Sequence, residues 1–177
     1  MKKVLTILLS VSALGAGALL GYHLSSRADS ATEPAAQTAA ATSAEPAAAA
    51  TTAITVYKSP TCGCCGDWVK HLEQNGFAVT VHDVDDIDPF KRKAGLTPQL
   101  ASCHTAFVDG YAVEGHVPAA DIKRLLAERP AARGLTVPGM PLGSPGMEVE
   151  GRSDDYQVLL FRDGGDTRVF NEYLSAR

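Results

Sequence analysis

Three of the four cysteines in this chain fall within four residues, in the stretch Thr61-Cys62-Gly63-Cys64-Cys65-Gly66-Asp67-Trp68. The cluster stands at a junction. Before it, Ile54-Thr55-Val56-Tyr57 is β-branched and aromatic and is closed by Ser59-Pro60, the pattern of a strand. After it, Gly66 to Asn75 places Trp68, Val69 and Leu72 at helical spacing, with Gly76 as a stop. A fold that accepts this stretch sets thiols between the end of a strand and the start of a helix. The unpaired N–H groups and the dipole at a helix start favour a thiolate. Cys62 and Cys65 already form a CxxC pair, so Cys64 needs a role of its own.

The rest of the pattern extends this unit. Phe77 to Val84 reads as a second strand, apolar enough for a buried sheet position. Asp88-Pro89 opens a short helix through Lys93, which Gly95 closes. Thr105–Val108 and Tyr111–Glu114 are strands three and four, joined by the hairpin signal Asp109-Gly110. After Val117-Pro118, Ile122, Leu125 and Leu126 share one face of a helix that Pro130 stops. The order β-α-β-α-β-β-α predicts an α/β, thioredoxin-like fold with the CxxC at the end of its first strand. Residues 134–147, GLTVPGMPLGSPGM, are rich in Gly and Pro and predict a loop. Tyr156–Phe161 and Thr167–Phe170, around Asp163-Gly164-Gly165-Asp166, predict an added C-terminal β-hairpin.

Ahead of the domain, Lys2 and Lys3 precede the apolar run Val4–Tyr22. Residues 1–28 therefore read as an export signal or as an uncleaved N-terminal membrane anchor, and either carries the remainder out of the cytoplasm. Residues 29–53 are Ala, Thr, Ser and Pro with no large apolar side chain, a disordered tether. The domain is expected over 54–177, about 120 residues and enough for one core. The formal charge is −4, and the first 50 residues carry three basic and three acidic groups, so the domain holds the excess acid. That argues against a nucleic-acid footprint, which needs a basic face.

The fourth cysteine, Cys103, stands before the third strand beside His104. In thioredoxin-like folds that loop lies next to the redox motif and usually holds a cis-proline. Here Ser102-Cys103-His104 occupies the position, so Cys103 and His104 are expected to approach Cys62, Cys64 and Cys65. His116, at the end of the fourth strand, is expected at the same rim, with Met140 and Met147 on the loop that follows. Thiolates and thioethers are soft donors and select Cu(I). A single tetrahedral zinc site fits the spacing poorly, because Cys64 and Cys65 are adjacent and Cys103 stands alone. Adjacent cysteines serve different metals more readily, with thiolates bridging, which gives Cys64 its role. Trp68 is expected in the core, Asp67 in the first helical turn, His71 on the solvent side of that helix, and His82 as an ordinary strand residue.

The segments YKSPTCGCCGDWVKHL, GLTPQLASCHTAFVDGYAVEGHVPAADIKRLL and GLTVPGMPLGSPGME together resemble the CopG-type copper-resistance proteins of Gram-negative bacteria, a family also classed as a domain of unknown function. The resemblance covers about residues 54–173. It implies a periplasmic, thioredoxin-like protein that binds copper through the CxCC and the later cysteine. A copper cluster and a part in Cu(I)/Cu(II) interconversion or copper hand-off are implied as well. Position by position, Cys62, Cys64, Cys65 and Cys103 match the family's cysteines, and His104, His116, Met140 and Met147 fall in its motif segments. The implied partners are copper ions, more than one per chain, and other periplasmic copper-handling proteins. Two other readings stay open: a thiol–disulfide oxidoreductase using Cys62 and Cys65, and a structural module with two disulfides.

Overall fold

The computed structural model describes residues 51–175. The expected leader and residues 29–50 of the tether lie outside the described residues. Seven strands form one mixed sheet: β1 (Thr52–Lys58), β2 (Phe77–Asp83), β3 (His104–Val108), β4 (Tyr111–Glu114), β5 (Gly134–Thr136), β6 (Tyr156–Phe161) and β7 (Thr167–Tyr173). Among the described residues three α-helices accompany them, α1 (Gly63–Gln74), α2 (Asp88–Ala94) and α3 (Ala119–Glu128). The strand order is β2-β1-β3-β4-β5-β6-β7. The β1/β2 and β4/β5 pairs are parallel, and the other four are antiparallel.

Side chains alternate across the sheet, and the two faces bury different sets. Val158 and Leu160 of β6 join a large core with Trp68, Leu72, Ile122 and Leu125, whereas Phe161 joins a smaller cluster with Ala94, Leu100 and Ala112. Helices α1 and α3 thus share the core on one face, and the end of α2 packs on the other. In α1 the buried residues Cys65, Trp68, Val69 and Leu72 follow a single helical stripe. Trp68 and Leu72 are fully buried, each stabilising the fold by about 1.5–3 kcal/mol through loss of apolar surface.

Three expectations need correction. β2 is not a buried strand: it pairs only with β1 and forms the sheet edge, with Phe77 its one buried residue and Val81 39% exposed. Residues 134–147 are not all loop, because β5 inserts between β4 and β6 and extends the sheet. Glycine opens β5 because a Cβ at Gly134 would sit 1.7 Å from the Ala112 carbonyl oxygen. β1 also begins at Thr52, so its first two residues come from the stretch assigned to the tether. The added hairpin is present as β6 and β7, and it docks through Asp121 of α3. That carboxylate is 2% exposed and accepts from the Tyr173 hydroxyl at 2.7 Å and the Asn171 amide at 2.9 Å.

Candidate metal centre

The site grows from the turn after β1. The Cys62 N–H donates to the Ser59 carbonyl, and Cys62 becomes the N-cap of α1. The helix begins at Gly63, three residues earlier than the periodicity predicts, so Cys64 and Cys65 lie in its first turn. Asp67 consequently falls outside the first turn; it is exposed and pairs with Lys70 at 2.9 Å. Cys65 belongs to the apolar stripe and is fully buried, while Cys62 and Cys64 are half-buried. Cys62 and Cys65, three residues apart, are joined as a disulfide; Cys64 and Cys103 are free.

The loop before β3 brings the fourth sulfur. Cys103 Sγ lies 3.4 Å from Cys65 Sγ, and Cys64 Sγ lies 3.6 Å from Cys62 Sγ. All four sulfurs fall within 4.8 Å of one another. Cys103 also faces two imidazoles, with His104 Nδ1 at 3.3 Å and His116 Nε2 at 3.1 Å. Both histidines are fully buried. His116 Nδ1 is 2.8 Å from the Pro145 carbonyl, which can only accept, so Nδ1 carries the proton and the Nε2 lone pair faces Cys103. His104 lies tilted on Trp68, ring centroids 4.3 Å apart, and meets His116 edge-on at 5.0 Å.

Burial dominates the electrostatics. It pushes the Cys103 thiol up to about 11, against a pull downward from the Ser102 hydroxyl. It holds His104 well below the ordinary imidazole value, with His116 and Lys91 pushing the same way, and it lowers His116 as well.

An ion pair behind the loop escaped sequence reasoning. Glu114 of β4 has a side chain with 0% exposure, and Lys91 of α2 reaches it with 14% exposure. Glu114 accepts from the Ser102 N–H at 2.6 Å and from the Thr105 hydroxyl at 2.7 Å, while Lys91 donates to the Ser102 carbonyl at 2.9 Å. The pair therefore grips the residues on either side of Cys103 and His104. Burial outweighs Lys91 and raises the Glu114 carboxyl above its ordinary range. The only sequence signal was a glutamate in an otherwise apolar strand, YAVE.

The Pro/Gly-rich loop straps across this centre. The Gly139 N–H donates to the Ala101 carbonyl at 3.1 Å, and the Ser102 hydroxyl donates to the Gly139 carbonyl. At the other end a Cβ on Gly146, whose φ is +83°, would lie 2.7 Å from both the Cys64 carbonyl oxygen and the Trp68 nitrogen. Met140 and Met147 each follow one of these pinned glycines. Met140 is 53% exposed and Met147 half-buried, and neither makes a side-chain hydrogen bond among the described residues.

Trp68 is in the core, its indole N–H donating to the Val117 carbonyl at 2.9 Å. His71 departs from its expected solvent position. It is half-buried, and its Nε2 accepts the Ala119 N–H at the start of α3 at 3.0 Å. Burial lowers its pKa, so unfolding releases an imidazole that protonates more readily. Its contribution to stability is full above the unfolded value of about 6.5 and is lost as pH falls below it. Urea unfolding between pH 7.5 and 5 is expected to show a falling midpoint. His71→Gln should flatten the share that His104 and His116 do not supply.

The fold and the site define a class: a mixed α/β domain carrying a compact four-sulfur cluster, backed by two buried imidazoles, at a strand–helix junction. The comparisons narrow it. A family profile described as a protein of unknown function, DUF411, matches residues 100–147. A solved structure described as copper resistance protein copG, form 2, is 51% identical with a TM-score of 0.66, covering 69% of this chain and 98% of its own. Form 1 of the same protein is 50% identical with a TM-score of 0.67, covering 70% and 98%. No curated protein matches. The chain belongs to the CopG-type copper-resistance family. These relatives and the cysteine cluster support a copper-related role.

Proposed function

We propose that this protein is a periplasmic copper-binding protein of copper resistance that holds Cu(I) in a multinuclear thiolate site built on Cys62, Cys64, Cys65 and Cys103. The observation that carries the reading is the packing of all four sulfurs within 4.8 Å of one another. Opening the Cys62–Cys65 disulfide with two electrons and two protons frees two thiols, which join those of Cys64 and Cys103 to make four, and each releases its proton to solvent as it binds copper. His104 and His116 supply imidazole from behind Cys103, and Met140 and Met147 stand on the strap as thioether donors at the rim. The order β2-β1-β3-β4, with the CxxC after β1, supports a thioredoxin-like core within the larger sheet. Copper is cargo here. Two thiolates closing to the Cys62–Cys65 disulfide release two electrons, enough to reduce two Cu(II) to two Cu(I). Export by the N-terminal segment would place the site in the periplasm.

The disulfide favours one alternative, a thiol–disulfide oxidoreductase using Cys62 and Cys65. The geometry weighs against relay through Cys103. Attack on a disulfide is in-line, and with a bond of about 2 Å a linear approach from 3.4 Å would set Cys103 roughly 5.4 Å from Cys62. The sulfurs lie closer, within 4.8 Å, in a clump suited to sharing metal.

Cys64 separates the readings. Reduced Cys64→Ser is expected to hold at least one Cu(I) fewer per chain than the native protein in competition with a chromophoric chelator. Unchanged stoichiometry would remove the multinuclear site and return Cys64 to an incidental position.

A further inference from the structure

Closure of the Cys62–Cys65 disulfide takes two thiolates out of the donor set and leaves the two free cysteines in unlike surroundings. Cys64 has the disulfide sulfur of Cys62 beside it at 3.6 Å. Cys103 has two imidazole nitrogens, at 3.3 Å and 3.1 Å. The three atoms Cys103 Sγ, His104 Nδ1 and His116 Nε2 lie within 4.8 Å of one another. We infer that Cys103, His104 and His116 form a second metal subsite, usable while the disulfide is closed, that takes one divalent ion of the zinc(II) class. The inference builds on the reading of the cluster as a metal centre. It adds that the centre divides into a thiolate set that depends on reduction and a nitrogen-rich set that does not.

The distances fit one shared ion. A sulfur at about 2.3 Å and a nitrogen at about 2.0–2.1 Å from a tetrahedral zinc lie roughly 3.5 Å apart. The metal-free pairs at 3.3 Å and 3.1 Å need to open by only a few tenths of an ångström. The rings are already aimed. The Pro145 carbonyl holds the proton of His116 on Nδ1 and turns Nε2 to the sulfur, the arrangement by which an outer acceptor orients a ligating histidine. Cys103 sits at a bend just before β3, so the alternation of strand side chains does not separate it from His104. Nδ1, the nitrogen nearer the backbone, makes that short reach.

An ordinary core histidine does not account for His104. Its ring is fully buried, and Nε2 has no hydrogen-bond partner among the described residues. The Gly115 backbone is close enough to pull weakly on the ring but makes no hydrogen bond to it. Among the described residues the one hydrogen-bond partner of the His104 side chain is the Cys103 sulfur, so the ring is held where it serves that sulfur. Two imidazoles and one thiolate are a borderline donor set, suited to zinc(II) or copper(II), unlike the all-sulfur set that suits Cu(I). Three protein donors also leave a fourth position open, as in zinc sites that exchange a ligand. Because Cys103 belongs to both sets, an ion held there already shares a ligand with the thiolates that appear when the disulfide opens.

The test is an anaerobic Co(II) titration of the full chain with the disulfide closed, verified by counting two free thiols. One Co(II) per chain is expected, with a thiolate-to-cobalt charge-transfer band and tetrahedral ligand-field bands, displaced by one equivalent of Zn(II). Cys103→Ser should abolish the charge-transfer band, and His116→Gln should weaken binding by about tenfold or more. Cys64→Ser should change neither. A folded, disulfide-closed chain with no cobalt band, or a band that Cys64→Ser removes, would overturn the subsite. Cu(I) titration of the reduced chain keeps the two ideas apart. Several Cu(I) held without any Co(II) site would sink this inference alone. A Co(II) site with no Cu(I) held would sink the copper reading alone.

Discussion

Glu114→Ala is expected to lower the unfolding free energy by about 3–5 kcal/mol, the range for breaking a buried ion pair by removing one partner. The carboxylate has no exposed surface and accepts from Lys91, the Ser102 N–H and the Thr105 hydroxyl at once. Alanine leaves the Lys91 ammonium, whose side chain is 14% exposed, without its counter-charge, and leaves the Ser102 N–H unpaired. Glu114→Gln keeps an oxygen acceptor and should cost less, about 1–3 kcal/mol. The double replacement Lys91→Met with Glu114→Leu removes both charges, and such exchanges are often neutral or stabilising. Urea unfolding of the three variants orders them. If the pair serves to place Cys103, the double variant regains stability yet binds copper more weakly than the native chain. Recovery of both together would make the pair structural only.

Cys103→Ser should have the largest effect on metal. Cys103 is the one residue common to the four-sulfur group and to the group with His104 and His116. Serine preserves size but offers an un-ionised hard oxygen where soft thiolate is needed. The reduced variant is expected to hold at least one Cu(I) fewer, with the rest held about tenfold to a hundredfold more weakly, judged from the usual cost of disturbing a metal's shell. Its unfolding free energy should stay within about 1 kcal/mol of the native value, because the thiol makes only weak hydrogen bonds. Chelator competition and urea unfolding, run on the same preparation, check both halves. Native copper capacity in this variant would place the metal elsewhere.

Much of this centre is visible in the sequence because it is built from local signals. A β-branched run, a Ser-Pro stop and the stripe of Trp68, Val69 and Leu72 place the cysteines at a strand–helix junction without tertiary knowledge. The meeting of Cys103 with that junction follows from strand order, and the structure brings the sulfurs together. What stayed hidden depends on packing. The apolar stretch Phe77–Val81 looks central, yet strand order leaves β2 at the edge. β5 is three residues in a Gly/Pro-rich segment, too short for a period to register. His71 is placed by an N–H donated from α3, forty-eight residues away. The partnership of Lys91 with Glu114 spans 23 residues, and no spacing rule connects a helix cation to a strand carboxylate at that range.

The proposed copper–thiolate centre is tested most directly by an anaerobic Cu(I) titration of the fully reduced chain against a chromophoric chelator. More than one Cu(I) held tightly per chain is the predicted result, since four sulfurs so closely packed suit shared ions. One Cu(I) or none would contradict it. Cys64 would then bridge nothing, and disulfide exchange at Cys62 and Cys65 would become the function to pursue.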